Sequence, residues 1–246
     1  MLDGLKLAED AMHIFRIPFI DVTLTGTGET LAFFYWAARR PFRIRNMQAM
    51  CSDRRHAENF FDLFIGRCDH LELFFHFKRS FKLPREDRWP NKVTLNAHPN
   101  HFDFSRLIHC PELCLIKVHA TNEQLNEFIK SWQSGKRNPR LRRVYFKQRA
   151  SLGRVLHEIE VNHRDPRTVK RVLTLNNVTW SIVGGIDIAG PNGKTATIKW
   201  ERYRKDERPA ETEEEAFRRA FREYKYHRVA GSLEFLDISS FTIFVW

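Results

Sequence analysis

Cys110, Cys114, His109 and His119 are the residues of this chain whose types could hold a metal ion, since thiolate and imidazole are the ligands zinc prefers. Their spacing argues against it. Cys110-x-x-x-Cys114 is loose, and no second well-spaced pair follows. With Cys51 and Cys68 scattered elsewhere, the four cysteines read as buried structural thiols, and we expect neither a metal nor a cofactor. Gly193-Lys194-Thr195 copies the end of a phosphate-binding loop, but the glycine needed five residues earlier is Ile188. Gly26-x-Gly28 lacks the third glycine of a dinucleotide site. His-Glu-x-x-His and Gly-x-Ser-x-Gly are both missing, so no nucleophile, base and orienting group come together. The expectation is a binding protein and not an enzyme.

Charge is the second clue. Forty-one Lys and Arg against 30 Asp and Glu leave a net +11, which favours acidic partners. The densest stretch is Lys136, Arg137, Arg140, Arg142, Arg143, Lys147, Arg149 and Arg154, without an acid between them. Apolar residues interrupt it, so it belongs to folded structure. A basic module for RNA or single-stranded nucleic acid is one function this permits, with Tyr145 and Phe146 as stacking groups.

The elements that must position these residues come from apolar spacing. Cys68-x-x-Leu71-x-Leu73, Pro90-x-x-Val93-x-Leu95, Cys110-x-x-Leu113-x-Leu115 and Leu141-x-x-Val144-x-Phe146 share one pattern, and Leu175-x-x-Val178-x-Trp180 is a weaker fifth. This is a degenerate leucine-rich-type repeat. One such unit cannot bury its apolar side alone, whereas stacked units can. The strands are expected to be parallel, with right-handed crossovers. The residues beside each central apolar position then face outward in one row: His70 and Glu72, Lys92 and Thr94, Glu112 and Cys114, Arg143 and Tyr145, Asn177 and Thr179. That row is the candidate partner-binding surface, led by Arg143 and Tyr145 because Arg and Tyr are frequent interface anchors.

Around this middle segment, taken as residues 55–182, residues 15–50 read as paired N-terminal strands turning at Gly26-Thr27-Gly28. Residues 183–246 read as a hairpin about Pro191-Asn192-Gly193, an exposed loop, a helix from Glu213 to Tyr226, and a final aromatic strand. The fold class is α/β, with α+β as the alternative, in a single domain of 246 residues. No apolar stretch suits a membrane span and the start is no secretory signal, so the expected location is intracellular, cytoplasmic or nuclear.

Between the third and fourth repeats lies an amphipathic helix. Leu125, Phe128, Ile129 and Trp132 fall on one helical face, Gly135 suits the residue past its end, and Pro139 forbids continuation. The set Leu125, Asn126, Phe128, Lys130, Trp132, Gly135, Asn138, Pro139, Arg140 and Leu141 resembles the signature of the nematode F-box-associated domain, type 2. A second familial element is matched in part by Asp187, Ile188, Gly193, Ala196, Thr197 and Ile198. The chain departs from it at Gly190 and Asn192, where Arg and Asp are usual. The resemblance implies a domain that presents a protein substrate to an SCF ubiquitin ligase. The family's F-box, which contacts the SCF adaptor, is expected to be missing here. Leu83-Pro84-Arg85-Glu86 is the only near match, and Asp87-Arg88-Trp89-Pro90 cannot continue it as a helix. Adaptor and cullin are therefore expected partners only if an F-box is supplied.

Overall fold

The repeated spacing becomes strand wherever the computed structural model describes it. The structure describes residues 2–14, 19–24, 36, 43–51, 57–58, 64–75, 89–97, 109–202, 212–230, 233 and 236–246. It divides into two compact units, Met1–His119 and Ala120–Trp246. Both helix and strand are present, and strand dominates, as the α/β expectation requires.

In the first unit a helix, α1 (Leu2–Ile14), is followed by β1 (Phe19–Leu24), β2 (Arg43–Cys51), β3 (Cys68–Phe75), β4 (Lys92–Ala97) and β5 (Glu112–Ile116). All five strands are parallel neighbours in chain order. Leu71 pairs with Val93 and Val93 with Leu113, while Leu73, Leu95 and Leu115 form the next rung. These six are 2% exposed or less, so the fourth and sixth positions of each repeat do point into a common core. Cys68 is buried ahead of Leu71, with two polar residues between them. The first position is thus out of phase with a simple alternation, which is why the spacing is 1-4-6 and not 2-4-6.

Among the described residues β1 pairs with β2, in parallel, with a bulge at Arg45. Parallel pairing needs a long connection where a tight turn suffices for an antiparallel pair. The turn at 26–28 and the return strand expected from Leu31 to Trp36, Trp36 itself excepted, lie outside the described residues, as do residues 83–88.

The second unit opens with α2 (Asn122–Gln133). Thr121 caps it by a reciprocal pair, Gln124 N–H to Thr121 Oγ1 at 3.2 Å and Thr121 N–H to Gln124 Oε1 at 2.8 Å. Leu125, Phe128, Ile129 and Trp132 are the buried stripe. Gly135 follows at φ +71°, a left-handed position that costs glycine nothing. Then come β6 (Arg143–Lys147), β7 (Ala150–Ser151), the short α3 (Leu152–Val155), β8 (Asn162–Arg164), β9 (Lys170–Leu175), β10 (Val178–Val183), β11 (Gly185–Ala189), β12 (Thr195–Arg202), α4 (Glu213–Ala230) and β13 (Asp237–Val245).

Within this unit the main sheet runs β6-β13-β12-β11-β8, all antiparallel, and β7 pairs with the start of β13. The expected hairpin about Pro191-Asn192-Gly193 is β11–β12, and the expected terminal strand is β13, which lies between β6 and β12. Val144 and Phe146 are core as expected, but β6 pairs antiparallel with β13, Phe146 stacking on Phe241 at 4.7 Å. The fifth repeat is a second correction. Leu175 ends β9, Asn176 and Asn177 turn at φ +50° and +63°, and Val178 begins β10, so the segment is an antiparallel hairpin. Two consecutive left-handed residues make the tight turn that suits strand twist, and asparagine tolerates them.

The signature residues hold this unit together. Asn126 Nδ2 donates to the carbonyls of Val155 and His157, both at 2.9 Å, and so satisfies the end of α3. Asn138 is buried at φ +51°, and its carbonyl accepts from Leu141 N–H at 3.1 Å. Gln133 Nε2 donates to the Ala189 carbonyl and Lys194 Nζ to the Pro139 carbonyl, tying the end of α2 and its exit loop to the β11–β12 hairpin. Lys194 of the loop-like Gly-Lys-Thr triplet is therefore a structural donor.

A candidate interaction face

Parallel pairing in register lines up like positions of successive strands. In the first unit this builds two polar rungs on the side of the sheet away from the leucine core. One is Asp21, Asn46, His70, Lys92 and Glu112. The other is Thr23, Gln48, Glu72, Thr94 and Cys114. A parallel sheet usually buries both faces under helices and is apolar on both. This one carries a cavity of about 370 Å³ over β1–β4, lined by Asp21, Thr23, Asn46, Gln48, His70, Glu72, Lys92 and Thr94 among others.

Hydrogen bonds order the first rung. Arg45 grips Asp21 through Nε at 3.1 Å and Nη2 at 2.6 Å, and Asn46 adds its backbone N–H at 3.1 Å and its Nδ2 at 2.9 Å. The Arg45 hydrogen bond, with Asn46 in support, holds the Asp21 carboxyl below its ordinary range. A carboxylate only accepts, so the Asn46 amide nitrogen must face Asp21 and its oxygen must face His70. That oxygen lies 2.9 Å from His70 Nδ1. Nδ1 therefore carries the proton, and in neutral His70 a lone pair remains on Nε2.

The second rung and its neighbours divide the charge. Gln48 Nε2 donates to Glu72 Oε2 at 3.1 Å. Lys92 Nζ stands 3.8 Å from Glu112 Oε1. Asp21 and Lys92 thus have counter-ions, while no cation among the described residues pairs with Glu72.

Of the residues expected in the binding row, His70, Glu72, Lys92 and Thr94 come together around the cavity. Glu112 and Cys114 continue the rungs on β5 outside its lining, and Glu112 is buried at 1% exposure, so its carboxylate serves Lys92 and not the surface. Arg143 and Tyr145 lie in the second unit, on β6. Arg143 is half-buried, its guanidinium 4.6 Å from the Trp180 ring centre and 5.8 Å from that of Tyr145. Asn177 is a turn residue, and Thr179 on β10 shares a hydroxyl–hydroxyl bond of 3.0 Å with Thr174.

Asp21, Thr23, Asn46 and Gln48 are the lining residues the sequence reading misses. A signal for Asn46 and Gln48 exists. Ile44, Met47 and Ala49 repeat the 1-4-6 spacing one repeat before Cys68, and all three are buried. Flanking arginines and a small sixth residue disguise that strand.

The other chemistry-bearing residues have structural surroundings. Cys51, Cys68 and Cys110 are buried, Cys114 is half-buried, and all are free thiols. Cys110 Sγ donates to the Glu112 carbonyl at 3.0 Å. Burial pushes the Cys68 thiol up to about 12, so it is no thiolate at neutral pH. Among the described residues no group of three or more His, Cys, Asp and Glu is placed to hold a metal ion. No helix among them is long and apolar enough to cross a membrane.

In the second unit, Asp187 and Thr197 of the second familial element meet. Asp187, 3% exposed, accepts from Arg164 Nε at 2.7 Å, Arg171 Nη1 and Nη2 at 2.7 and 2.8 Å, and Thr197 Oγ1 at 2.6 Å. Trp246 Nε1 donates to the same hydroxyl at 2.8 Å. Burial alone pushes this carboxyl up, but the hydrogen bonds from Arg171, Thr197 and Arg164 outweigh it and leave it below its ordinary value.

No curated protein and no solved structure matches the chain. One protein family does. The family described as F-box associated matches residues 91–146, less than a quarter of the chain. The match begins just before β4, takes in Lys92, Thr94, Glu112 and Cys114, crosses all of α2 and ends at Phe146 in β6. The matched segment includes Leu125 to Leu141, the residues that resemble the same family.

Proposed function

We propose that this chain is a protein-interaction module, with no catalytic role, that captures a partner at the polar face of its first unit. In an SCF-type assembly it would act as the substrate-recognition part. One observation carries the reading: two continuous polar rungs cross four parallel strands and border a cavity of about 370 Å³, within the range of ligand-binding sites. The F-box-associated match supports it, because the resemblance implies a domain that presents a protein substrate.

Filling the cavity rim tests the reading. Thr23 and Asn46 are exposed, so Thr23→Tyr with Asn46→Tyr places two rings over the cavity without disturbing the core. With an F-box fused to the chain, the proteins ubiquitinated in cells should fall back to the background of the F-box alone in this variant. An unchanged ubiquitination pattern from a folded variant removes the face from the proposal. We expect stable co-elution with the SCF adaptor only when an F-box is supplied, measured at moderate salt because a basic chain and an acidic adaptor attract nonspecifically.

A further inference from the structure

The hydrogen-bond polarity of the cavity specifies what it takes. Its charges are Asp21, Lys92 and Glu72. Arg45 neutralises the first and Glu112 the second. Glu72 is left as a single negative charge, with one oxygen held by Gln48 and the other facing no donor among the described residues. Beside it, Gln48 has spent its amide nitrogen on Glu72, so its oxygen is what it can offer a ligand. In its neutral form His70 offers the lone pair of Nε2, because Asp21 fixes Asn46 and Asn46 fixes the protonated nitrogen. Among the described lining residues these three groups cluster as acceptors, beside the hydroxyls of Thr23 and Thr94 and the ion-paired ammonium of Lys92. The cavity is thus locally anionic and acceptor-rich on a chain of net charge +11.

We infer that the cavity over β1–β4 binds a lysine or arginine side chain carried on an exposed segment of a partner protein. Glu72 is its counter-ion, and Gln48 Oε1 and His70 Nε2 are the further acceptors. The inference rests on the reading that this face binds a partner, and it names the chemistry of the segment bound. Complementary charge is the ground: an acidic or apolar side chain would leave Glu72 and its neighbouring acceptors unpaired, which is costly in a half-enclosed site. The volume exceeds that of one side chain, so flanking residues of the segment enter with it. Because the whole chain repels cations, attraction for this segment is local and depends on geometry, not on net charge.

The test uses the full chain and acetylated nonapeptide pools whose central residue is fixed as lysine, arginine, norleucine or glutamate. Binding is measured at near-physiological salt. The lysine or arginine pool should bind at least tenfold more tightly than the norleucine and glutamate pools, and the comparison of the first two identifies the cation. Glu72→Gln keeps the shape of the side chain and an acceptor for Gln48, so it should fold normally and lose that tenfold preference. Equal retention of all four pools, preference for glutamate through Lys92, or a cation preference that survives Glu72→Gln overturns the inference. Failure of the wider reading looks different. If partner capture is lost in the Thr23→Tyr, Asn46→Tyr variant but unaffected by Glu72→Gln, the face binds partners without a cation, and only this inference falls.

Discussion

Gly190 is where one missing side chain decides the packing of the signature tryptophan. A Cβ there would overlap the Trp132 ring at Cη2, and Trp132 is 2% exposed. Its φ is ordinary, so the demand is for space and not for backbone freedom. Gly190→Ala should destabilise the fold by about 3 kcal/mol, seen as a lowered thermal midpoint. Asp187 sets a different requirement. Its carboxylate is buried against two guanidinium groups, and removing its charge leaves both uncompensated. Asp187→Asn should cost roughly 3 to 5 kcal/mol. The pH dependence follows from the lowered value. An aspartate that titrates lower in the folded chain than in the unfolded one stabilises fully above about pH 4, and that contribution fades as pH falls toward the folded value. The Asp187→Asn variant should therefore show a flatter loss of stability below about pH 4 than the parent chain, measured by denaturant midpoints.

At the scale of elements, α2 and the hairpin β9–β10 are the instructive pair. α2 has every local signal in agreement: a reciprocal N-terminal cap, an apolar stripe, a glycine past its end. Trp132→Ala should cost roughly 3 to 5 kcal/mol, and Thr121→Ala about 1 kcal/mol. A smaller loss at Trp132 would mean that the β11–β12 hairpin closes over the gap. In β9–β10 the turn governs. Asn177 at φ +63° should accept glycine without loss, whereas Asn177→Val should cost about 1 to 2 kcal/mol, because a branched side chain is strained in the left-handed region. Equal stability of the two variants would contradict the tight turn and bring back the parallel strand expected from Leu175, Val178 and Trp180. That apolar spacing arises here because Leu173 and Ile182 of the hairpin pack with Phe244, with Leu175 and Trp180 partly buried against them.

For the molecule as a whole, net charge and local charge point in opposite directions. Arg140, Arg142, Lys147, Arg149 and Arg154 are exposed cations, while the cavity of the first unit keeps one carboxylate, Glu72, with no cation paired to it among the described residues. Nucleic acid should therefore bind to the chain as a polyelectrolyte and not at the cavity. Association with polyuridylate should fall steeply with salt and be weak at about 0.15 M, and Glu72→Gln should leave it unchanged. Tight binding at that salt, with a preference for sequence, would make the basic stretch a recognition surface in its own right.

Local elements can be read from the chain's residues, because they depend on the spacing of apolar side chains and on caps and turns within a few residues. The strands at Leu71, Val93 and Leu113, the helix from Leu125 to Trp132 and the hairpin about Asn192 are legible for that reason, as is the similarity of Leu125 to Leu141 to the F-box-associated family. Half of the candidate site was legible too. His70, Glu72, Lys92 and Thr94 follow from the repeat, whereas Asp21, Thr23, Asn46 and Gln48 lie on strands whose pairing partner is not written nearby. Only the tertiary structure decided that β1 runs parallel to β2, that β6 pairs antiparallel with β13, and that Glu112 is buried beside Lys92. Strand direction depends on what the chain does between strands, and the state of a carboxylate depends on neighbours about 20 residues away, neither of which a local pattern records.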